Sequence, residues 1–177
     1  MSRQRSMVPY GYQPLEREEK GTLLVIDSFE QYPLSSLSSM YEFSVDRGFV
    51  QVVLYPLHEQ TLKRMGVSNG SPYFYRVRTI RESLGDMGLE TWATIDEWEG
   101  KRKKYTPLDT SLRSLTERYE GPHFVYWTED YANRFASYSS FEQWIRKLRM
   151  FIVKKTAHSL HPMLSKYEHR WEWVKEE

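Results

Sequence analysis

The stretch Thr22-Leu23-Leu24-Val25-Ile26 decides where the core of this protein begins. Its residues are aliphatic or β-branched, Gly21 precedes it, and Asp27-Ser28 ends it. A short run of this kind between such boundaries is typical of a buried β-strand. We therefore predict that residues 22–26 form the strand that opens the core.

The composition limits the classes to which the chain can belong. It has 177 residues, of which 40% are hydrophobic and 28% charged, which is enough for one globular core. The 25 lysines and arginines nearly balance the 24 acidic residues, so contact with a polyanion must come from a local patch. The absence of cysteine excludes disulfide scaffolds, thiolate metal sites and cysteine nucleophiles. No apolar run is long enough for a membrane span or for the middle region of a signal peptide, so we expect a soluble protein.

The first twenty residues differ in composition from the rest of the chain. Arginines, prolines and tyrosines are followed there by a charged stretch, without helical or strand periodicity. We predict a flexible N-terminal arm over residues 1–20 and a single globular domain over residues 21–177.

Several segments have the residues of loops and strands. Residues 33–39 are rich in serine and predict a linker. Residues 42–55 are rich in Val and Phe and are interrupted only by Asp46-Arg47-Gly48, which predicts one long bent strand, with a hairpin as the alternative. Residues 73–80 and 89–95 predict an antiparallel pair of strands.

The remaining short elements are a helix, two strands and an ambiguous segment. Residues 57–65 predict a short helix that ends at Gly66. Residues 123–127 predict a compact aromatic strand, and residues 170–175 predict either a last edge strand or a helical turn. Residues 108–118 are compatible with a helix or an irregular loop.

The C-terminal third has the pattern of an amphipathic helix. Ser139 and Ser140 each stand three residues before a Glu or Gln, which is the spacing of a capping box. Large apolar residues then recur at spacings of three and four: Phe141, Trp144, Ile145, Leu148, Phe151 and Ile152. The sequence thus predicts an α+β fold, a single domain in which an antiparallel sheet packs against a long C-terminal helix.

Two groups of cations are candidates for contact with a polyanion. The first is the tetrabasic run Lys101, Arg102, Lys103 and Lys104. In a turn, these side chains can attract nucleic-acid phosphates or anionic lipid, and an ordinary solvated loop fits equally well. The second group is Arg146, Lys147, Arg149, Lys154 and Lys155, on the polar face of the predicted helix. A solvated helix face is the simpler interpretation of this second group.

No local motif indicates catalysis. Phosphate-binding glycine loops, nucleophile elbows and H-E-x-x-H helices are all missing from the sequence. His158, His161 and His169 are close in sequence, but Pro162 interrupts the helical geometry that would align them on a metal. We expect no enzymatic activity, no metal, no cofactor and no small-molecule substrate.

The order of these elements resembles that of the matrix proteins of rhabdoviruses. The resemblance begins with Val8-Pro9-Tyr10-Gly11-Tyr12 in the arm, the predicted strand 41–55 and the segment 70–76. It continues with the basic run before Thr106-Pro107 and with the segment that opens at Ser140-Phe141 and closes at residues 150–155. The arm lacks the first proline of the family's Pro-Pro-x-Tyr motif, and it is nearly balanced in charge.

The resemblance implies a structural protein that assembles with copies of itself and links ribonucleoprotein to an inner membrane surface. Val8, Pro9, Tyr10 and Tyr12 would then take part in self-association, and Lys101 to Lys104 would contact the membrane or ribonucleoprotein. Such a protein would be found in the virion beneath the envelope and in the host cytoplasm. The alternative is a bacterial cytosolic regulatory or nucleic-acid-binding protein.

Overall fold

The computed structural model describes residues 20–68, 70–155 and 159–174. In these ranges six strands form one sheet in the order β3-β2-β1-β4-β5-β6, and every neighbouring pair is parallel. The strands are β1 (Lys20–Asp27), β2 (Phe49–Pro56), β3 (Thr94–Ile95), β4 (His123–Thr128), β5 (Arg149–Val153) and β6 (Trp171–Val174).

Helices form most of the connections between these strands. They are α1 (Leu34–Arg47), α2 (Glu59–Met65), α3 (Tyr73–Asp86), α4 (Trp98–Arg102), α5 (Leu108–Arg118), α6 (Glu129–Ala136), α7 (Phe141–Ile145) and α8 (Pro162–Lys166), and a 3-10 turn covers Glu168–Arg170. None of the helices in the described ranges is long and apolar enough to cross a membrane.

The sheet is covered on both faces. Leu23 and Val25 point to the face that carries α1 and α3, whereas Leu24 and Ile26 point to the face that carries α2 and α5 to α8. All four side chains are 0 or 1% exposed. A parallel sheet with helices on both faces is a doubly wound α/β fold. The predicted α+β fold with an antiparallel sheet and a long C-terminal helix is therefore wrong.

The predicted bent strand over residues 42–55 is also wrong in its first half. Residues up to Arg47 belong to α1, which buries Leu37, Met40 and Ser44 at helical spacing, and α1 begins inside the predicted linker 33–39. Gly48 takes a left-handed φ of 73° and donates its N–H to the carbonyl groups of Ser44 and Val45. The glycine that suggested a bulge is thus the end of a helix, because both structures need the same positive φ.

The predicted antiparallel pair is absent from the described sheet. Residues 73–80 lie in α3, whose buried side chains Tyr73, Arg76, Val77, Ile80 and Leu84 follow a helical spacing. Of residues 89–95 only the last two form a strand, and β3 pairs with β2 in parallel. The alternation of aromatic and arginine residues in this segment suggested a strand. In the structure every third or fourth side chain is buried, which is the spacing of a helix.

The long C-terminal helix ends early. Helix α7 has five residues, and β5 begins at Arg149 after a short turn. Ser140 is its N-cap, but no side-chain hydrogen bond of the predicted capping box forms. Phe151 and Ile152 lie on opposite faces of the sheet. A short, fully buried strand following a helical turn reproduces the spacing of a longer helix, which is why the pattern misled.

Other predicted elements are confirmed. Residues 22–26 lie in β1, residues 123–127 lie in β4, and β6 is the edge strand predicted near the C-terminus. Helix α2 ends at Gly66, which has a φ of 80°. The ambiguous segment 108–118 is α5.

Candidate functional site

A crevice opens at the carboxyl ends of the central strands. Strand β1 lies between β2 and β4, and the chain passes from β1 to β2 over one face of the sheet and from β4 to β5 over the other. Ligands of open α/β sheets bind at such a point, because the diverging connections leave a gap beyond the strand ends. The crevice is lined by Val25, Asp27, Tyr32, Ser36, Tyr126, Trp127, Thr128, Val153 and Lys155.

Asp27 is the acidic group of the crevice. It is the last residue of β1 and is 8% exposed. Its Oδ1 accepts hydrogen bonds from the Phe29 N–H at 2.8 Å and from the Ser28 hydroxyl at 3.4 Å. Burial raises the pKa of Asp27, and the hydrogen bonds to Phe29 and Ser28 and the charge of Lys155 only partly offset it.

The backbone after Asp27 is held in an uncommon conformation. Phe29 and Gln31 have left-handed φ values of 60° and 47°, which residues other than glycine rarely adopt. The Tyr131 hydroxyl of α6 accepts the Ser28 N–H at 3.2 Å. The Ser28 hydroxyl in turn accepts the Glu30 N–H at 3.1 Å. Hydrogen bonds with α6 and within the loop thus fix the path of the chain from β1 to α1.

The other side of the crevice carries positive charge. Helix α1 has 14 residues, has no acidic residue in its first turn, and has Pro33 as an N-cap without a side-chain hydrogen bond. Ser36 brings this first turn to the crevice. Lys155 follows β5, and its backbone N–H donates to Glu129 Oε1 at 2.8 Å. The positive end of the α1 dipole and one ammonium group therefore face the Asp27 carboxyl group.

A buried arginine closes the neighbouring gap between β1 and β2. Arg76 of α3 is 1% exposed, and its Nη1 donates to the carbonyl groups of Ser28 at 2.5 Å and Leu57 at 2.9 Å. Burial lowers the pKa of Arg76, an effect that the charges of Glu59 and Glu30 oppose. Since the guanidinium ties together the backbone that follows both strands, the space available to a ligand lies on the β4 side of β1.

The tetrabasic run does not border the crevice. Lys101 and Arg102 form the last turn of α4, Lys103 is its C-cap, and Lys104 follows. Among the described residues that line the crevice, none comes from this run.

The second basic group is dispersed, because the helix that would have aligned it does not form. Arg146 is the C-cap of α7, and Lys147 lies in the turn before β5. Arg149 and Lys154 stand at opposite ends of β5, about 16 Å apart at the rise of a strand. Only Lys155 of this group lines the crevice.

The remaining predicted positions have no part in the crevice as described. Val8, Pro9, Tyr10, Tyr12 and His158 lie outside the described residues. His161 is the N-cap of α8, where its Nδ1 accepts the Met163 N–H at 3.1 Å. Over the described ranges, no three His, Asp or Glu side chains come together in a way that could hold a metal.

Sequence reasoning missed Asp27 and misassigned Lys155. Each follows a buried run directly, at the carboxyl end of β1 and just after β5. A polar residue directly after a buried run is the signal that could have identified both. This signal is informative only if the strands are known to be parallel, because only then do their carboxyl ends meet at one edge of the sheet.

Comparison with known proteins adds no identity. No protein-family model matches the chain, and no curated protein matches it. The groups that line the crevice are therefore the basis for its function.

Proposed function

We propose that this protein binds a small phosphorylated molecule in the crevice at the carboxyl ends of β1 and β4. One observation carries the proposal: the first turn of α1, Lys155 and the buried Asp27 border the same gap in a doubly wound sheet. Fold alone does not imply a ligand, so the support comes from the chemistry of these groups.

The phosphate would bind on the α1 side. The first N–H groups of a helix have no partner within the helix, and together with the helix dipole they form a ready site for an anion. Helix α1 has neither a side-chain cap nor an acidic residue in its first turn. The N–H groups of Ser36 and Leu37 donate to the Pro33 carbonyl, so the anion would bind the N–H groups of Leu34 and Ser35. Lys155 adds a formal positive charge.

Asp27 would recognise a polar group of the ligand rather than its phosphate. Because burial raises the pKa of Asp27, the carboxyl group stays protonated to a higher pH than an exposed aspartate does. A carboxyl group can exchange hydrogen bonds with a hydroxyl or amino group of a ligand in either protonation state. The pair of Asp27 and Lys155 therefore suits a molecule that carries both an anion and a neutral polar group.

The size of the crevice constrains how the ligand enters. Its volume is about 10 Å³, which is roughly the space for one water molecule. Lys155 is exposed at the rim, so its side chain is the part that would move to admit a phosphate. The rest of the molecule would lie outside the strand ends.

Calorimetric titration with inorganic phosphate and with adenosine monophosphate tests this proposal. We expect saturable binding of the nucleotide, weakened tenfold or more by Lys155→Met and by Asp27→Ala, whereas Asp27→Asn, which keeps a hydrogen-bonding side chain, should weaken it less. Lys154→Met is the matched control, because Lys154 is adjacent but stacks on Trp173, 4.8 Å from the ring centroid, and does not line the crevice. Absence of binding at millimolar ligand, or equal weakening by Lys154→Met, would contradict the proposal.

The matrix-like function and its alternative, a bacterial regulatory or nucleic-acid-binding protein, stay predictions. The resemblance to rhabdovirus matrix proteins rests on the order of elements and on short segments of sequence, and it supports the first of them only as a prediction. The tetrabasic run is compatible with either one. Assembly, contact with membrane or ribonucleoprotein, a virion location and the lack of enzymatic activity are likewise predictions. The ligand proposed for the crevice replaces the expectation that the protein has no small-molecule partner.

A further inference from the structure

The tetrabasic run is part of a larger basic surface that the sequence does not reveal. The Arg64 guanidinium, near the end of α2, stacks on Tyr105 with 4.0 Å between its central carbon and the ring centroid. This contact places Arg64 beside the turn that follows α4. We define the basic surface by five residues: Arg64, Lys101, Arg102, Lys103 and Lys104.

The charge of this surface is uncompensated within the described part of the chain. None of its five cations forms an ion pair with a described acid. Elsewhere arginines do pair: Arg47 with Glu172, Arg81 with Glu97, Arg113 with Asp109, Arg118 with Asp96 and Arg134 with Asp130. Although the whole chain carries a formal net charge of only +1, this surface brings five cations together.

The backbone beneath the surface is fixed by the core. Glu99 of α4 is fully buried and accepts hydrogen bonds from Thr61 and from the backbone of His58. The Thr61 hydroxyl accepts the Thr106 N–H at 3.0 Å, on the other side of the turn. Both ends of the turn are thus tied to α2, so the backbone that carries the cations needs little ordering when a partner binds.

Two of the cations are positioned by specific contacts. Arg102 lies over Trp98 and donates from Nε to the Thr106 hydroxyl at 2.9 Å. Lys103 holds a left-handed φ of 57°, a conformation in which glycine would be unstrained. This conformation turns the chain at the end of α4 and leaves the Lys103 side chain exposed.

We propose that the basic surface binds nucleic acid through its phosphate backbone. Four of the five cations are exposed, and Arg102 is half-buried. Neighbouring cations without ion pairs are what sequence-independent phosphate contact requires. The strongly exposed large apolar side chains of the described chain are Leu34, Val45, Val50, Phe74 and Tyr75. None is among the five residues that define this surface, although Phe74 and Tyr75 follow Tyr73, which packs against Gly100 next to the run. Binding to vesicles is therefore measured alongside binding to nucleic acid. The proposal is independent of the ligand proposed for the crevice.

Fluorescence anisotropy with labelled duplex and single-stranded oligonucleotides, measured over 50 to 300 mM salt, tests this inference. The slope of log K against log salt is negative, and each lost phosphate contact reduces its magnitude by about 0.7 to 0.9. We expect the triple variant Lys101→Gln, Lys103→Gln, Lys104→Gln to bind at least tenfold more weakly near 100 mM salt. The magnitude of its slope should be smaller by about 2 to 3. If the triple variant does not fold, the single variants Lys101→Gln and Lys104→Gln provide the same test. Each should reduce the magnitude of the slope by about 0.7 to 0.9.

The matched control removes the same charge from another place. The triple variant Arg146→Gln, Lys147→Gln, Lys154→Gln should leave both affinity and slope close to those of the unaltered protein. Failure of the unaltered protein to bind either oligonucleotide would overturn the proposal, as would an equal loss in the control variant. Binding to phosphatidylserine vesicles without binding to nucleic acid would also overturn it and would assign the surface to a membrane.

Discussion

At the scale of single residues, Glu99 shows how one buried acid joins several elements. Its Oε1 accepts the His58 N–H at 2.7 Å and the Thr61 hydroxyl at 2.9 Å, and its Oε2 accepts the Ser111 hydroxyl at 3.1 Å. Tyr55 of β2 donates to the same serine at 2.9 Å. Burial raises the pKa of Glu99 above its ordinary value of 4.5, and these hydrogen bonds only partly oppose that shift.

The raised pKa of Glu99 makes the stability of the protein depend on pH. As pH rises from about 4.5 towards the higher folded-state pKa, the unfolded chain releases this proton before the folded chain does. The free energy of unfolding must therefore fall across that window. We expect Glu99→Gln to lose this component, so that its stability relative to the unaltered protein increases as pH rises.

Urea unfolding at a series of pH values from 4 to 8 measures this effect. Glu97→Gln is a control, because Glu97 lies at the surface and its pair with the exposed Arg81 contributes about 0 to 1 kcal/mol. The difference in stability between this control and the unaltered protein should change little over the range. Parallel pH curves for Glu99→Gln and the unaltered protein would contradict the prediction.

At the scale of elements, one glycine separates α1 from β2. Gly48 has a φ of 73°, and its N–H satisfies carbonyl groups at the end of α1. The chain can therefore leave the helix and enter a strand at Phe49, with a single residue between the two elements. Such a sharp change is possible because glycine enters the left-handed region without the steric cost of a Cβ atom.

Two glycine substitutions should have opposite effects on stability. Gly48→Ala should lower the free energy of unfolding by about 1 kcal/mol, because alanine is strained at positive φ. Gly85→Ala should raise it by about 0.5 to 1 kcal/mol, since Gly85 lies in α3 and a Cβ atom there meets nothing within 4 Å. Chemical denaturation of both variants checks the sign, and a loss in both would contradict the assignment of Gly85 to an unstrained helical position.

At the scale of the whole molecule, the parallel sheet brings distant parts of the chain to one edge. Asp27 and Lys155 both line the crevice although they are far apart in sequence. The crevice lies at the carboxyl edge of the sheet, whereas the basic surface lies where α2 contacts the turn after α4. The near-zero net charge of the chain thus conceals a crevice lined by an acid and a lysine and a separate surface of five cations.

Removal of residues 1–19 tests the predicted role of the N-terminal arm in self-association. Strand β1 begins at Lys20 and pairs with both β2 and β4 from Thr22 onwards. We therefore expect the shortened chain to keep its far-ultraviolet circular dichroism. If the arm joins neighbouring copies as predicted, light scattering should give an oligomer for the full chain and a monomer for the shortened chain.

The double variant Tyr10→Ser, Tyr12→Ser in the full chain is the companion experiment. It should reduce association without changing the length of the protein. If light scattering gives the same number of subunits for the full and shortened chains, the arm has no part in assembly.

The sequence by itself determined several local features of this protein. The apolar run 22–26, the aromatic run 123–127 and the short helix before Gly66 are recognisable because composition and boundary residues agree there. It also supplied the tetrabasic run. These features depend on interactions among neighbouring residues, which a single sequence records.

Only the tertiary structure decided how those elements combine. Residues 73–80 fit a strand by composition, and the burial of Arg76 against backbone carbonyl groups becomes apparent only when β1, β2 and α3 are packed together. Residues 141–152 satisfy a helical spacing and a buried strand at once, so packing had to choose between them. The direction of strand pairing is a long-range property with no local signature, and the meeting of Asp27, Lys155 and the first turn of α1 depends on that direction.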